Sequence, residues 1–451
     1  MRFNSRSSKL PLFPLIMSIF FVVSGGPYAM ETLVSSSGAG LALVLILVTL
    51  FVWSLPAALM TAELTSAIPA EGGYYVWAKE ALGPFGGFLC GWWSWVYSWV
   101  DTSLYPGLFV GYLVAVADQA SPNGPLHNLS PLQKWLLGMA MLVPIIWINV
   151  RGIKLSGIAS VVLGLLLLTP FVLLIGIGIA KFGGHATAIF QPFNAPGKSV
   201  KESFGAGLFV IMWNYLAWDS LSTVCGETEH PARNFPKALM WSLLITVAFY
   251  FLPFAVGIAA VPDISKWTEG SWTAIASAVG GSWLGLLVAF GAILSVIGMC
   301  NATLLSGSRL PLVMAEDKLL PKQLSALHPK HKTPWVGICV SAAFAALLTV
   351  KGFAELVKVD VLIYSAGLLL EFAALVVLRY KRPELARRYR IPGGKPGVWL
   401  LVLVPTGLIV AAFVITLKGD FEAAMITIGA LASGPIVYGV ARLARGRKTS
   451  A

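Results

Sequence analysis

Four carboxylates stand inside long apolar stretches of the sequence: Glu31, Asp101, Asp219 and Glu371. An ionised carboxylate at the middle of a bilayer costs about 2.5–3.5 kcal/mol on insertion scales, so such groups usually face a cavity and take part in function. No Lys or Arg falls in the middle of these stretches to neutralise them. Acids without basic partners suit two kinds of chemistry, holding a proton or binding a cationic ligand. Asp101, Asp219 and Glu371 are the candidates for carrying protons.

Aromatic rings and weak backbone lie beside the acids. Met212-Trp213-Asn214-Tyr215-Leu216-Ala217-Trp218-Asp219-Ser220 sets an amide and three aromatics around one acid. Trp and Tyr faces attract an alkylammonium by cation–π interaction, about 0.5–2 kcal/mol each, with ordinary packing as the alternative for any single ring. Ahead of Glu31, Ser24-Gly25-Gly26-Pro27 joins paired glycines to a residue without an N–H. An unwound stretch is expected there, a simple kink being the alternative. Irregular backbone at membrane depth is tolerated only where it lines a cavity or is buried in protein. The Trp213–Asp219 segment has no Gly or Pro to force a similar break. Trp92, Trp93, Trp95 and Trp99 read as an interfacial belt, and Glu63 and Glu71 as loop anchors.

The elements that must hold these residues are membrane helices. Of 451 residues, 57% are hydrophobic and 12% charged, and the mean hydropathy is +0.79. A soluble domain carries about twice that charge. Twelve segments are apolar enough to span, near 12–34, 40–64, 85–117, 135–150, 156–180, 204–225, 238–260, 283–305, 334–350, 357–378, 397–417 and 422–441. All of the 32 Lys and Arg except Lys134, Lys181, Lys198, Lys201, Lys266, Lys351, Lys358 and Lys418 fall on one side. That bias puts both termini in the cytoplasm and makes the net charge of +12 topogenic rather than a nucleic-acid signal. The Ser24–Pro27 interruption argues against a signal peptide.

Enzyme signals are thin. Cys90, Cys225, Cys300 and Cys339 sit in or beside apolar runs, and His127, His185, His230, His328 and His331 fall in loops without metal-ligand spacing. No nucleotide-binding glycine loop occurs. Neither a metal nor a cofactor is called for.

Three loops carry a resemblance. Glu63-Leu64 with Ile68-Pro69-Ala70-Glu71-Gly72-Gly73-Tyr74-Tyr75 resembles the loop after helix two of the amino acid–polyamine–organocation transporters. Gly226-Glu227 with His230 to Ala238 is similar to their helix six–seven loop, and Ser308-Arg309 through Thr333-Pro334 to their helix eight–nine loop. The Ser24–Tyr28, Asp101 to Pro106, Trp213–Ser220 and Leu369–Phe372 segments resemble the polyamine-uptake branch, which is akin to L-type amino acid transporters. The resemblance implies a LeuT-type fold in one transporter domain, with inverted repeats near 12–182 and 204–380 and two accessory helices near 397–441. It further implies a multi-pass protein of the plasma or inner membrane. The activity implied is proton-coupled import of putrescine, spermidine or related amines by alternating access, with cationic or neutral amino acids as the alternative substrates.

On this reading Glu31, Asp101, Asp219 and Glu371 bind ammonium groups or a proton. Trp213, Tyr215 and Trp218 clasp the alkyl chain, Asn214 stands among them, and Ser24, Gly25 and Gly26 supply unwound backbone. The partners are the small amine or amino acid, the proton and the bilayer, with no nucleic acid and no obligate protein partner. One departure is clear: many proton-coupled relatives carry a Lys in helix five, whereas Leu155 to Ala180 here contains none, the aligned place lying near Leu167. A sensor, a channel and a major-facilitator transporter are the rivals. The tails are short, the acids are scattered rather than ringed, and the Gly–Asp–Arg loop of the facilitators is replaced by Pro-Ala-Glu-Gly-Gly.

Overall fold

The computed structural model describes residues 9–120, 124, 126, 128–183, 188–351 and 353–449. Arg2, Arg6, His127 and His185 lie outside the described residues. Among the described residues the chain is helical with connecting loops, and its only β feature is an isolated bridge between Leu10 and Thr228.

Every apolar segment read from the sequence carries helix. The first is split into α1 (Leu12–Val23) and α2 (Thr32–Ser37), and the second runs through α3 (Ala39–Thr49), a π turn and α4 (Leu55–Ala67). Then come α5 (Tyr74–Ala120), α6 (Pro131–Arg151) and α7 (Ile153–Phe182). The sixth is split into α8 (Val200–Trp213) and a 3-10 stretch, Ser220–Glu227. It is followed by α9 (Pro231–Ala260), the short α10 (Trp272–Gly280), α11 (Ser282–Gly307) and α12 (Leu310–Glu316). α13 (Trp335–Leu348), α14 (Phe353–Lys381), α15 (Gly394–Gly419) and α16 (Phe421–Thr449) complete the chain. Among the described residues nine helices are long and apolar enough to cross a membrane; α1 and α13 are shorter apolar helices. The protein is an all-α polytopic membrane protein.

Local chemistry sets the ends. Ser130 and Ser199 open α6 and α8 with reciprocal capping boxes to Gln133 and Glu202. The box starts α6 earlier than hydropathy indicates, so a segment read as short has 21 residues. In α5 a kink at Gly83, with φ of 81°, sets residues 74–82 apart from the apolar run that begins near 85. Burial then sorts the helices. Of its most apolar window, α14 has 72% buried, whereas α6 and α16 have 22%. α14 packs chiefly on α5, so two of the acids read from the sequence, Asp101 and Glu371, lie on the most enclosed helix and the one it packs against.

The three loops that carry the family resemblance meet at the basic end of the molecule. Gly72 donates its N–H to the Thr223 carbonyl at 2.9 Å. Gly73 packs so closely on Ser222 that a Cβ there would collide with its backbone. Arg309, fully buried at the start of α12, pairs with Glu227 at 2.9 Å. Asp317 accepts from both Lys79 and Tyr75. Glu63 takes Arg379, Arg387 and the Ile391 N–H, which fits its reading as an anchor. Leu10 joins the same knot through Glu227 and Glu229 backbone.

The tryptophan cluster of α5 corrects its expected role as a belt. Trp92 and Trp93 donate to Ser433 and to the Leu431 carbonyl of α16, and Trp95 to Ser341 of α13. Trp99 stacks on Phe344 at 4.2 Å. These rings form the seam between α5 and its neighbours.

Candidate functional site

The interruption expected in the first span is real, and the sixth span is interrupted as well although it lacks a glycine or proline there. In the first, residues 24–31 leave the helix, with Gly25 at φ 68°, Gly26 at φ 92° and Ala29 at φ 60°. In the sixth, α8 ends at Trp213 and Ala217 adopts φ 68°. An L-residue in the left-handed region costs about 1–2 kcal/mol, and surrounding contacts hold it there. The Asn214 carbonyl accepts from the Tyr250 hydroxyl at 2.7 Å and the Tyr215 carbonyl from Trp53 at 3.1 Å. The Pro27 carbonyl accepts from Trp272 at 2.8 Å, and the Gly25 carbonyl from Ser295.

Carboxyl groups collect around the second break. Asp219 accepts a hydrogen bond from Tyr364 of α14, and Glu371 on the same helix is its carboxyl neighbour. The Glu371 oxygen Oε2 has no partner. Further along, Asp101 accepts from Tyr105 at 2.7 Å and from Thr303 at 2.9 Å. The Trp213 side chain lies between Asp101 and a further acid, Asp360 of α14. The Tyr97 and Tyr364 rings, 5.1 Å apart, separate the two carboxyl groups of residues. All four acids are buried.

Glu31 stands apart. It lines a cavity of about 470 Å³ with Glu269, Phe209, Val210, Val357 and the Lys358–Asp420 ion pair. Glu31 is fully buried and neither of its carboxylate oxygens has a hydrogen-bond partner. Desolvation holds Glu269 above the usual carboxylate range, whereas the hydrogen bond from Lys358 holds Asp420 below it. The wall formed by Phe209, Val210 and Val357 is one helical turn from Trp213 and Asp360.

The remaining sequence candidates are placed as follows. Trp218 is buried with its indole N–H unpaired. Asn214 donates to the Val210 carbonyl and leaves its own oxygen free of partners. Tyr215 turns to the second span, donating to the Ile46 carbonyl at 3.1 Å and packing on Tyr250. Ser24 accepts the Gly26 N–H at 3.0 Å, and the Gly25 N–H goes to the Phe20 carbonyl at 3.3 Å. Leu167 is fully buried beside Gly26. Glu71 is buried beside Gly226, close to Glu227 and Arg309.

Asp360, Tyr364, Tyr250 and Thr303 were not singled out from the sequence. Asp360 fell too close to the assigned start of its span, where a charge is cheap. The helix begins at Phe353, which places Asp360 two turns inside. The spacing 360, 364, 371 on one helical face was the available signal.

Helices interrupted at membrane depth around enclosed carboxyls define a transporter, not an enzyme. The chain belongs to the amino acid permease family, whose model matches residues 15–438, within the amino acid–polyamine–organocation superfamily. It is 36% identical to the polyamine transporter PUT1 of Oryza sativa subsp. japonica over 96% of this chain and 78% of that one. With the polyamine transporter RMV1 of Arabidopsis thaliana identity is 34%, over 95% and 84%. With the serine/threonine exchanger SteT of Bacillus subtilis it is 27%, over 87% and 88%.

Proposed function

We propose that the protein is a proton-coupled importer of polyamines such as putrescine and spermidine, working by alternating access. On this reading both termini are cytoplasmic, the basic end faces the cytoplasm, and the protein sits in the plasma or inner membrane. The observation that carries it is Asp219, held by Tyr364 and neighboured by Glu371, in a core where these acids lack basic partners. Asp219, which accepts from Tyr364, is the charged member and meets an ammonium group. Glu371 is the proton holder, since its second oxygen is unengaged. Asp101 binds an ammonium or a second proton. Trp213 and Trp218 flank the alkyl chain, and the breaks at Ser24–Gly26 and Asn214–Asp219 are the hinges. The names borne by PUT1 and RMV1 agree with this substrate class.

A neutral or cationic amino acid is the second reading, favoured by the likeness to SteT. A substrate carboxylate would need free N–H groups at the first break. Those of Gly25, Gly26 and Ala29 are taken by Phe20, Ser24 and Tyr112, which supports the amine. The test is uptake of labelled putrescine, spermidine, arginine and leucine into proteoliposomes with and without an inward proton gradient. Gradient-stimulated polyamine uptake ahead of both amino acids is expected. Amino acid uptake without polyamine entry or competition would overturn the reading.

A further inference from the structure

The carboxyls of α14 form a ruler. Asp360, Tyr364 and Glu371 share one face of this helix. From Asp360 to Glu371 the axis advances about 16 Å at about 1.5 Å per residue. Glu371 belongs to the pair with Asp219. Asp360 is fully buried, and neither of its carboxylate oxygens meets a donor at hydrogen-bonding geometry. The Trp213 side chain is what it shares with Asp101. The groups that act on the buried Asp360 are Asp101 and the Trp213 side chain. Asp101 differs in having Tyr105 and Thr303 as donors. Asp360 is therefore a buried acceptor whose natural complement is a cation supplied from outside the chain. It lies one turn below the wall of the cavity that holds Glu31 and Glu269.

We propose that Asp360, with Asp101 and Trp213, is a second ammonium-binding station, and that its spacing from the Asp219–Glu371 station selects polyamines of triamine length. This rests on the polyamine reading above and specifies which members of that class are preferred. A triamine with nine bonds between its terminal nitrogens extends about 11 Å when bond lengths are about 1.5 Å. An ammonium–carboxylate hydrogen bond of about 2.8 Å at each end brings the reach close to the separation along α14. A four-carbon diamine fills one station and leaves the other acid empty. The rings of Tyr97 and Tyr364 stand between the stations and flank the methylene segment.

The test is competition for uptake in proteoliposomes by spermidine, putrescine and α,ω-diaminoalkanes of graded length, in the wild type, Asp360→Asn and Asp360→Glu. The wild type is expected to prefer spermidine to putrescine. Asp360→Asn should weaken spermidine about tenfold or more while changing putrescine less than about threefold. Asp360→Glu should retain the preference and move the optimum diamine toward a shorter chain. Equal losses for both amines in Asp360→Asn, or none, would overturn the proposal. If that variant does not fold, an unchanged optimum length in Asp360→Glu would overturn it. Failure of the underlying reading looks different: the wild type itself would then take up amino acids and no amine of any length.

Discussion

At the basic end of the molecule each of the acids Glu63, Glu227 and Asp317 is held by Arg or Lys. In the membrane core Asp101 and Asp219 are held by Tyr and Thr hydroxyls, and Asp360 has the Trp213 side chain as its neighbour and no basic group. The two regions use the same side chains for opposite purposes. A buried pair such as Arg309–Glu227 satisfies both charges internally, so it fixes the loops after the second, sixth and eighth spans and has no call on a ligand. A buried acid without a cation keeps its demand for one, and only a proton or an incoming ammonium group meets it. Glu71 stands between the two cases, buried near Arg309 with neither oxygen bonded; on the proposed reading the transport acids differ in having no Arg or Lys beside them.

The comparison can be broken at either region. Removing one partner of the enclosed pair, as in Arg309→Met, leaves Glu227 unpaired and should cost about 3–5 kcal/mol of stability. Thermal unfolding in detergent measures this, and the surviving protein should keep its wild-type order of substrates. Neutralising the core acid in Asp219→Asn should remove about 2–5 kcal/mol of amine binding, or about 30-fold or more. The folded protein should persist, as judged by the same unfolding assay. If Asp219→Asn unfolds the protein and Arg309→Met changes substrate preference, the two roles are exchanged.

Smaller effects sharpen the picture. Ala217→Gly should relieve the left-handed strain at the second break and raise stability by about 0.5–1 kcal/mol, with slower uptake if the strain helps the hinge. At the mouth of the cavity, protonating Glu269 removes negative charge, and desolvation sets its titration above the ordinary carboxylate range. With the pH difference across the membrane held constant, initial uptake at low amine concentration should therefore fall as the pH on the cavity side drops through that range. Glu269→Gln should flatten the profile and lower the rate about two- to fivefold at neutral pH.

Much of this was legible in the sequence because membranes penalise exceptions. Twelve apolar stretches stand out against sparse charge, and Asp101, Asp219 and Glu371 stand out within them. The break at Ser24–Pro27 is written in its glycines and proline. The break at Ala217 is not, because it depends on Tyr250 and Trp53 capturing carbonyls from distant helices. Asp360 was hidden by a boundary placed a few residues late, and the role of Trp92 and Trp93 by partners on α16 that local sequence does not reveal. The separation of Glu31 from the other acids is likewise a tertiary fact, since the first span's unwound stretch carries it into the cavity.

The most direct test of the central claim compares accumulation with exchange in Glu371→Gln. Gln keeps a hydrogen-bonding side chain at this position but carries no exchangeable acid proton. Wild-type proteoliposomes should concentrate labelled spermidine only with an inward proton gradient. Glu371→Gln should still exchange labelled for unlabelled spermidine across the membrane, yet fail to concentrate it. Concentrative uptake by Glu371→Gln, or a wild type indifferent to the gradient, would contradict the account.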